Sequence, residues 1–254
     1  MLKIVLSGCN GRMGKVISDI CSKRDNLKIV AGFDRYTEQC FDYPVYIKPS
    51  NFTGECDVVI DFSNAAFTEE LLHYCVEKNT PVVISTTGHN GEQLQAIRTA
   101  SEKIPVFRSG NMSLGINLLM DLIQTSAKVL GENFDVEIIE KHHNQKVDAP
   151  SGTALMLADA AADALPYQPE YVYDRTKRRE TRPAHEIGIS AIRGGTIVGE
   201  HSVIFAGRDE VIEIKHTALS REVFAVGAVD AGIFLAAQTK PGLYNMGDVI
   251  RSKQ

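Results

Sequence analysis

The sequence predicts an α/β protein: a doubly wound parallel sheet first, then an α+β unit built on a mostly antiparallel open sheet. Three observations lead there. Short β-branched runs alternate with helix-length amphipathic stretches through the first 112 residues, the rhythm of parallel strands joined by crossover helices. The first of those runs ends in a glycine-rich turn, Gly8 to Gly14. Beyond Ser113 the helices lengthen, and late strand-like runs follow one another across short glycine connections, the spacing of antiparallel neighbours or hairpins.

Taken in order, Lys3 to Ser7 (KIVLS) is the first strand. Val16, Ile17, Ile20 and Cys21 recur at helical spacing within Val16 to Arg24, so a helix follows. Leu27 to Phe33 is the second strand, and a proline-containing connection leads to two more, Asp57 to Phe62 and Pro81 to Ser85. Phe67 to Lys78 lies between them as a helix, Glu92 to Lys103 is another, and Pro105 to Phe107 is a last short strand. Leu114 to Leu130 is a long amphipathic helix stopped by Gly131, as a helix end prefers. Val136 to Glu140 is a strand, and Ala154 to Leu165 is an alanine-rich helix closed by Pro166. Tyr167 to Pro183 carries Arg175, Lys177, Arg178, Arg179 and Arg182 among Asp174 and Glu180. Such a mixed charge run without periodicity reads as a solvated loop. Ile187 to Arg193, Thr196 to Phe205 and Val211 to Thr217 are strands, and Arg221 to Gln238 is a terminal helix. The first boundary falls near residue 112.

Composition narrows the function. With 254 residues, 44% hydrophobic and 23% charged, the chain is globular. A net charge of -5 argues against a nucleic-acid binder, which needs a basic face, and favours metabolites as partners. The five cysteines all lie in the first third, without a C-x-x-C pair; this fits free thiols in a reducing cytoplasm. The chain opens M-L-K-I-V without a signal-peptide pattern, and its most apolar late stretch, Ala225 to Ala237, is interrupted by Asp230, far short of a membrane span. A cytoplasmic location is expected.

The glycine turn reads Gly8-Cys9-Asn10-Gly11-Arg12-Met13-Gly14 between a strand and a helix. There a Rossmann-type fold needs glycines for the turn and for backbone approach to a pyrophosphate, with the helix N-terminus beyond. The spacing is G-x-x-G-x-x-G, so context carries more weight than the string. Asp34 ends the second strand twenty residues after Gly14, where an acid accepts hydrogen bonds from an adenosine ribose. Arg35 follows it, and an arginine there suits the 2′-phosphate of NADP, so mixed use of NADH and NADPH is expected. Asp61-Phe62-Ser63, Ser85-Thr86-Thr87-Gly88 and Ser109-Gly110-Asn111-Met112 end later strands. Ligands of open α/β sheets sit outside those ends, so these segments are expected to line the nicotinamide crevice. Capped strand-to-helix loops would read the same way.

Glu140 to Ala154, E-K-H-H-N-Q-K-V-D-A-P-S-G-T-A, gathers the most chemistry. Zinc is disfavoured, because adjacent histidines on a strand face opposite ways and no HExxH spacing or cysteine partner is present. A hydrolase elbow of G-x-S-x-G type is missing. Two readings remain, a polar loop with a helix N-cap at Ser151 and an anion-binding site for proton transfer, and the cluster of groups favours the second. Pro150-Ser151-Gly152-Thr153 opens the alanine-rich helix and offers N–H groups and hydroxyls to a carboxylate. His143 and Lys146 add donors, and His142 can exchange a proton near neutral pH.

The chain resembles the 4-hydroxy-tetrahydrodipicolinate reductase (dihydrodipicolinate reductase) family nearly end to end. The resemblance rests on the R-M-G ending of the glycine turn, on Thr86-Thr87-Gly88, and above all on E-x-H-H-x-x-K-x-D-x-P-S-G-T-A. Val198-Gly199-Glu200-His201 and F-A-x-G-A-V at Phe224 to Val229 add to it. It implies hydride transfer from NADH or NADPH to a small cyclic dicarboxylate with loss of water, in the diaminopimelate and lysine pathway. It implies proton donor/acceptor work for His142, proton donation by Lys146, and substrate binding by His143, Gly152 and Thr153. It further implies a homotetramer joined through the sheet of the second domain and closure of the two domains around their ligands. The C-terminal segment would return, so that residues 1–112 and 222–254 bind the dinucleotide and 113–221 bind substrate. Two segments depart from the family pattern: Ser85 opens one where G-T-T-G is usual, and Gly110-Asn111-Met112-Ser113 stands where A-N-F-S is usual. The competing expectations are a non-catalytic NAD(P)-binding sensor and a dehydrogenase of another small acid.

Overall fold

The computed structural model describes residues 1–253 and divides into two compact units, Met1–Leu114 with Glu222 to the C-terminus, and Gly115–Arg221. The first unit opens with β1 (Leu2–Ser7), α1 (Arg12–Ser22), β2 (Leu27–Phe33), β3 (Val45–Tyr46) and β4 (Val58–Asp61). It continues with α2 (Thr68–Glu77), β5 (Val82–Ile84), α3 (Gly91–Ser101) and β6 (Pro105–Arg108). The second unit holds most of α4 (Leu114–Leu130), then β7 (Asp135–His142), α5 (Gly152–Ala162), β8 (Glu170–Val172), β9 (Glu186–Arg193), β10 (Gly199–Ala206) and β11 (Val211–Ala218). The chain then re-enters the first unit with α6 (Glu222–Ala236), β12 (Gly242–Tyr244) and α7 (Met246–Arg251).

In the first unit all seven strands are parallel, in the order β12-β6-β5-β4-β1-β2-β3. The apolar runs are continuous because both faces are covered. Ile4, Leu6, Val58 and Ile60 join one core with Ala228, Val229 and Leu235 of α6. Val5 and Val59 turn the other way, against Leu71, Leu72 and Cys75 of α2. Successive connections leave β1 in opposite directions, to β2 on one side and later to β4 on the other. That reversal opens a crevice at the strand ends, and the turn at Gly8 lies there.

The second unit has a mixed sheet in the order β11-β10-β7-β9-β8. β10 pairs antiparallel with both β7 and β11, whereas β7–β9 and β8–β9 are parallel. The Gly194-Gly195 connection therefore makes no hairpin, because β7 lies between β9 and β10. Short spacing told of neighbouring strands without telling that an earlier strand separates them. β7 alternates strictly, with Val136, Ile138, Glu140 and His142 buried. Its buried apolar pair packs with Ile116, Leu119 and Ile123 of α4 and with Ala154, Leu157, Ala158 and Ala161 of α5. The small alanines let the α5 backbone approach the strand closely.

Four short elements have no clear signal in the sequence: β3, β8, β12 and α7. Two or three residues carry too little periodicity to register, and pairing to a longer neighbour makes each of these strands. The arginine-rich segment also differs from a solvated loop. Arg175 clasps Glu137 at 3.0 and 2.9 Å and reaches Glu186 at 3.1 Å. Arg178 pairs with Glu186 at 2.5 Å, and Arg182 with Glu137 at 2.9 Å and Asp135 at 2.7 Å. Lys177 and Arg179 stay exposed. The carboxylates stand on β7 and β9, remote in sequence, so the run alone could not reveal them.

Candidate active site

The glycine turn follows from β1 and from the close packing around it. Gly8 has φ +78, and a Cβ there would lie 2.5 Å from the Phe62 carbonyl oxygen. Only glycine adopts that conformation without strain. A Cβ at Gly14 would collide with the carbonyls of Gly8 and Cys9, so the helix can start tight against the turn. Gly11 caps α1 without a side-chain hydrogen bond, and the first turn has no acid. The helix's opening N–H groups are thus not claimed by its own cap, as an anion site requires.

Asp34 accepts hydrogen bonds from the backbone N–H of Asn10 at 3.0 Å and of Tyr36 at 3.1 Å. The Asn10 amide donates to the carbonyls of Tyr36 and Glu38 at 2.7 and 2.9 Å, tying the turn to the loop after β2. A cleft of about 770 Å³ opens here, lined among others by Gly8, Asn10, Gly11, Asp34, Arg35 and Lys48. The Arg35 guanidinium sits 4.7 Å over the Tyr36 ring. A positive-φ glycine, an uncapped helix start, a strand-end acid and two cations in one cleft fit an adenine dinucleotide.

The other expected nucleotide residues are placed less uniformly. The side chains of Cys9 and Met112 are buried in the core, leaving only their backbones for a ligand, while the partly buried Met13 packs against it. Arg12 is exposed beside the turn. Thr86 donates to Asp61 at 2.6 Å, and so does Ser63. Burial raises the Asp61 carboxyl above its usual range, against these hydroxyl donors. Ser85 is buried with no partner for its hydroxyl among the described residues, while Thr87 and Gly110 are exposed. Ser109 donates to the Asn111 carbonyl at 2.7 Å, and the Asn111 side chain accepts from the Ser113 N–H at 2.8 Å. Tyr36 and Lys48 join the cleft without a signal in the sequence, because loop residues acquire partners only through the fold.

The second cluster is organised by Glu140, which is fully buried on β7. It accepts from His142 Nδ1 at 2.6 Å, from the Ser151 N–H at 3.0 Å, and from Arg193 at 2.8 and 2.7 Å through both of its oxygens. Burial works to raise its pKa, but Arg193, His142 and the Ser151 N–H overcome it and hold the carboxyl below its ordinary value. An ionised carboxylate only accepts, so His142 carries its proton on Nδ1 and keeps a lone pair on Nε2. Burial lowers the His142 pKa, with Glu140 opposing and Lys146 and Arg193 reinforcing. The imidazole is a neutral base. Its ring meets His201 edge to face at 5.1 Å.

The remaining residues of the motif gather at the start of α5. Ser151 is the N-cap, its hydroxyl accepting from the Ala154 N–H at 3.1 Å and lying 3.2 Å from His201 Nε2. With its N–H on Glu140 and its carbonyl accepting from Leu155, Ser151 is committed to holding the turn. Gly152 and Thr153 form the first helical positions and are less buried. β7 ends at His142, so His143 belongs to the following turn, where its Nε2 accepts from Arg221 at 3.3 Å. The Lys146 N–H donates to the His143 carbonyl at 3.1 Å, and its Nζ pairs with Asp148 at 2.8 Å. His142, His143, Lys146 and Ser151 to Thr153 are therefore parts of one turn region. The fold adds Arg193, His201 and Arg221 to it.

A family model described as "Dihydrodipicolinate reductase, N-terminus" matches residues 2–112, and one described as "Dihydrodipicolinate reductase, C-terminus" matches residues 115–250. A 4-hydroxy-tetrahydrodipicolinate reductase of Caldanaerobacter subterraneus is 52% identical over 251 residues, 99% of each chain. One of Clostridium tetani is 49% identical over 252 residues, 99% of this chain and 98% of that one. The solved dipicolinate-bound dihydrodipicolinate reductase of Paenisporosarcina sp. TG-14 superimposes with a TM-score of 0.80 at 26% identity, covering 96% of this chain and 97% of its own. With both halves matched and half of the residues identical along the full length, the chain belongs to the dihydrodipicolinate reductase family.

Proposed function

We propose that the chain reduces 4-hydroxy-tetrahydrodipicolinate to tetrahydrodipicolinate with NADH or NADPH, in diaminopimelate and lysine biosynthesis. One hydride and one proton are taken up and one water leaves. The observation that supports this most directly is the Glu140 hub. One buried carboxylate fixes the His142 tautomer, the start of α5 and Arg193 together, and a site for proton transfer to a carboxylate-bearing ring needs those three things at once.

The nucleotide, when bound, supplies the hydride. The chain's own residues handle charge and protons. Gly152 and Thr153 at the α5 N-terminus, with Lys146, His143 and the neighbouring Arg221, hold a substrate carboxylate. Lys146 donates a proton from Nζ to the carbon that gains electron density, and its positive charge stabilises that density beforehand. His142 takes and returns a proton at Nε2, while Glu140 holds the opposite nitrogen.

Asp34 and the two cations Arg35 and Lys48 share the nucleotide cleft, which supports use of both nucleotides. The assembly this reading carries is a cytoplasmic homotetramer joined through the second sheet, whose Ile192, Val211 and Ile212 remain exposed in one protomer. Steady-state kinetics with each nucleotide tests the proposal. Substrate-dependent oxidation of both is expected. Nucleotide binding without substrate-dependent oxidation would sink the reductase reading, and a hundredfold preference for one nucleotide would end the mixed-use reading alone.

A further inference from the structure

Asp148 has no part in the reading above, yet it touches two of its key groups. Its Oδ1 lies 2.8 Å from Lys146 Nζ, and the backbone N–H of Gly152 faces the same carboxylate. Those are a cation and a helix-start donor, the pair expected to receive a ligand carboxylate. The side chain of Asp148 is 58% exposed, so it can leave at small cost. Its backbone is fixed, because Arg193 donates to the Asp148 carbonyl at 2.7 Å while also holding Glu140. An anchored backbone, an exposed side chain and a carboxylate resting on the receptor groups describe a group that exchanges with a ligand of like charge.

We propose that Asp148 is a built-in competitor for the substrate carboxylate, holding Lys146 and the α5 terminus until a ligand carboxylate displaces it. This rests on the reading of Lys146 and Gly152 as carboxylate receptors. Lysine and helix start are thereby kept in place, and ligands that bring only a weak anion meet a standing rival. Specificity then favours a dicarboxylate, whose second carboxylate adds binding that a single one lacks.

Calorimetric titration of pyridine-2,6-dicarboxylate into the parent and three variants tests this. Asp148→Asn keeps shape and loses charge, and it is expected to tighten binding about threefold to tenfold, the range of an exposed ion pair plus a helix-end charge. Asp148→Glu keeps a carboxylate and should not tighten. The substrate KM should fall with Asp148→Asn in parallel. Unchanged or weaker binding by Asp148→Asn would overturn the proposal, as would equal tightening by Asp148→Glu. Lys146→Met separates the two levels. If it binds the dicarboxylate as the parent does, the receptor reading itself fails. If it weakens binding while Asp148→Asn tightens nothing, only the competition fails.

Discussion

The nucleotide cleft and the Glu140 cluster solve the same problem, holding an anion, with opposite materials. The cleft uses backbone: Gly8 at positive φ, Gly14 packed on two carbonyls, and a helix start that no side chain caps. The cluster uses side chains converging on one buried carboxylate from β7, β9 and the α5 turn. A backbone site is specified by what must be missing, so it tolerates most changes except an added Cβ. A side-chain hub is specified by what must be present, and losing one member leaves another unpaired. The two should therefore fail differently: the cleft in affinity, the cluster in chemistry.

The strongest test of that contrast is Lys146→Ala. Loss of one general acid costs about 10² to 10⁴ in rate, so kcat should fall by that factor while nucleotide affinity stays near the parent's. Stopped turnover and fluorescence titration of NADH read the two separately. A parallel loss of nucleotide affinity would erase the division of labour, and near-normal kcat would remove Lys146 from proton transfer.

A smaller effect concerns pH, and in the cluster it centres on His201. Burial, reinforced by His142, His216 and Lys146 and opposed by Glu140, brings His201 down to about 4. Unfolded histidine titrates near 6.5, so between those values the unfolded chain binds a proton that the folded chain refuses. Stability is full above about pH 6.5 and falls as pH drops toward 4, by up to about 3 kcal/mol. His142 and His216 are lowered too and act in the same direction. His201→Asn should flatten the acid side of the profile, seen as a smaller shift in urea midpoint between pH 7 and pH 4.5. An unchanged slope would mean that His201 is protonated in the fold.

What the sequence disclosed follows the same division. The βαβ rhythm, Gly8 to Gly14 and Asp34 were legible because local periodicity and spacing express backbone needs. The motif from Glu140 to Ala154 was legible as a crowd of groups, since a strand end and a helix start bring them together locally. Its organisation was hidden. Glu140 reads as one acid among several, while its partner Arg193 is 53 residues away and Ser151 meets His201 across 50. The mixed order of the second sheet was hidden for that reason too, because no local signal says that β7 inserts between β9 and β10. A Cys or Met inside a glycine loop or strand end likewise reads as a ligand contact until packing shows its side chain in the core, as for Cys9 and Met112.

The mildest test lies in the cleft. Gly8 donates its N–H to the Phe33 carbonyl at 2.7 Å and accepts from Gly11 at 3.1 Å, so the turn cannot relax without losing both bonds. Gly8→Ala keeps them only by holding alanine at positive φ, which costs about 1–2 kcal/mol, and its Cβ would press the Phe62 carbonyl at 2.5 Å. The expected result is a roughly tenfold higher KM for NADH, equivalent to about 1.4 kcal/mol, with kcat recovered once nucleotide is saturating. That outcome mirrors Lys146→Ala, with affinity lost and chemistry kept. If kcat falls instead with KM unmoved, backbone and side-chain sites are not separable here, and the glycine turn must be placed in the chemical step.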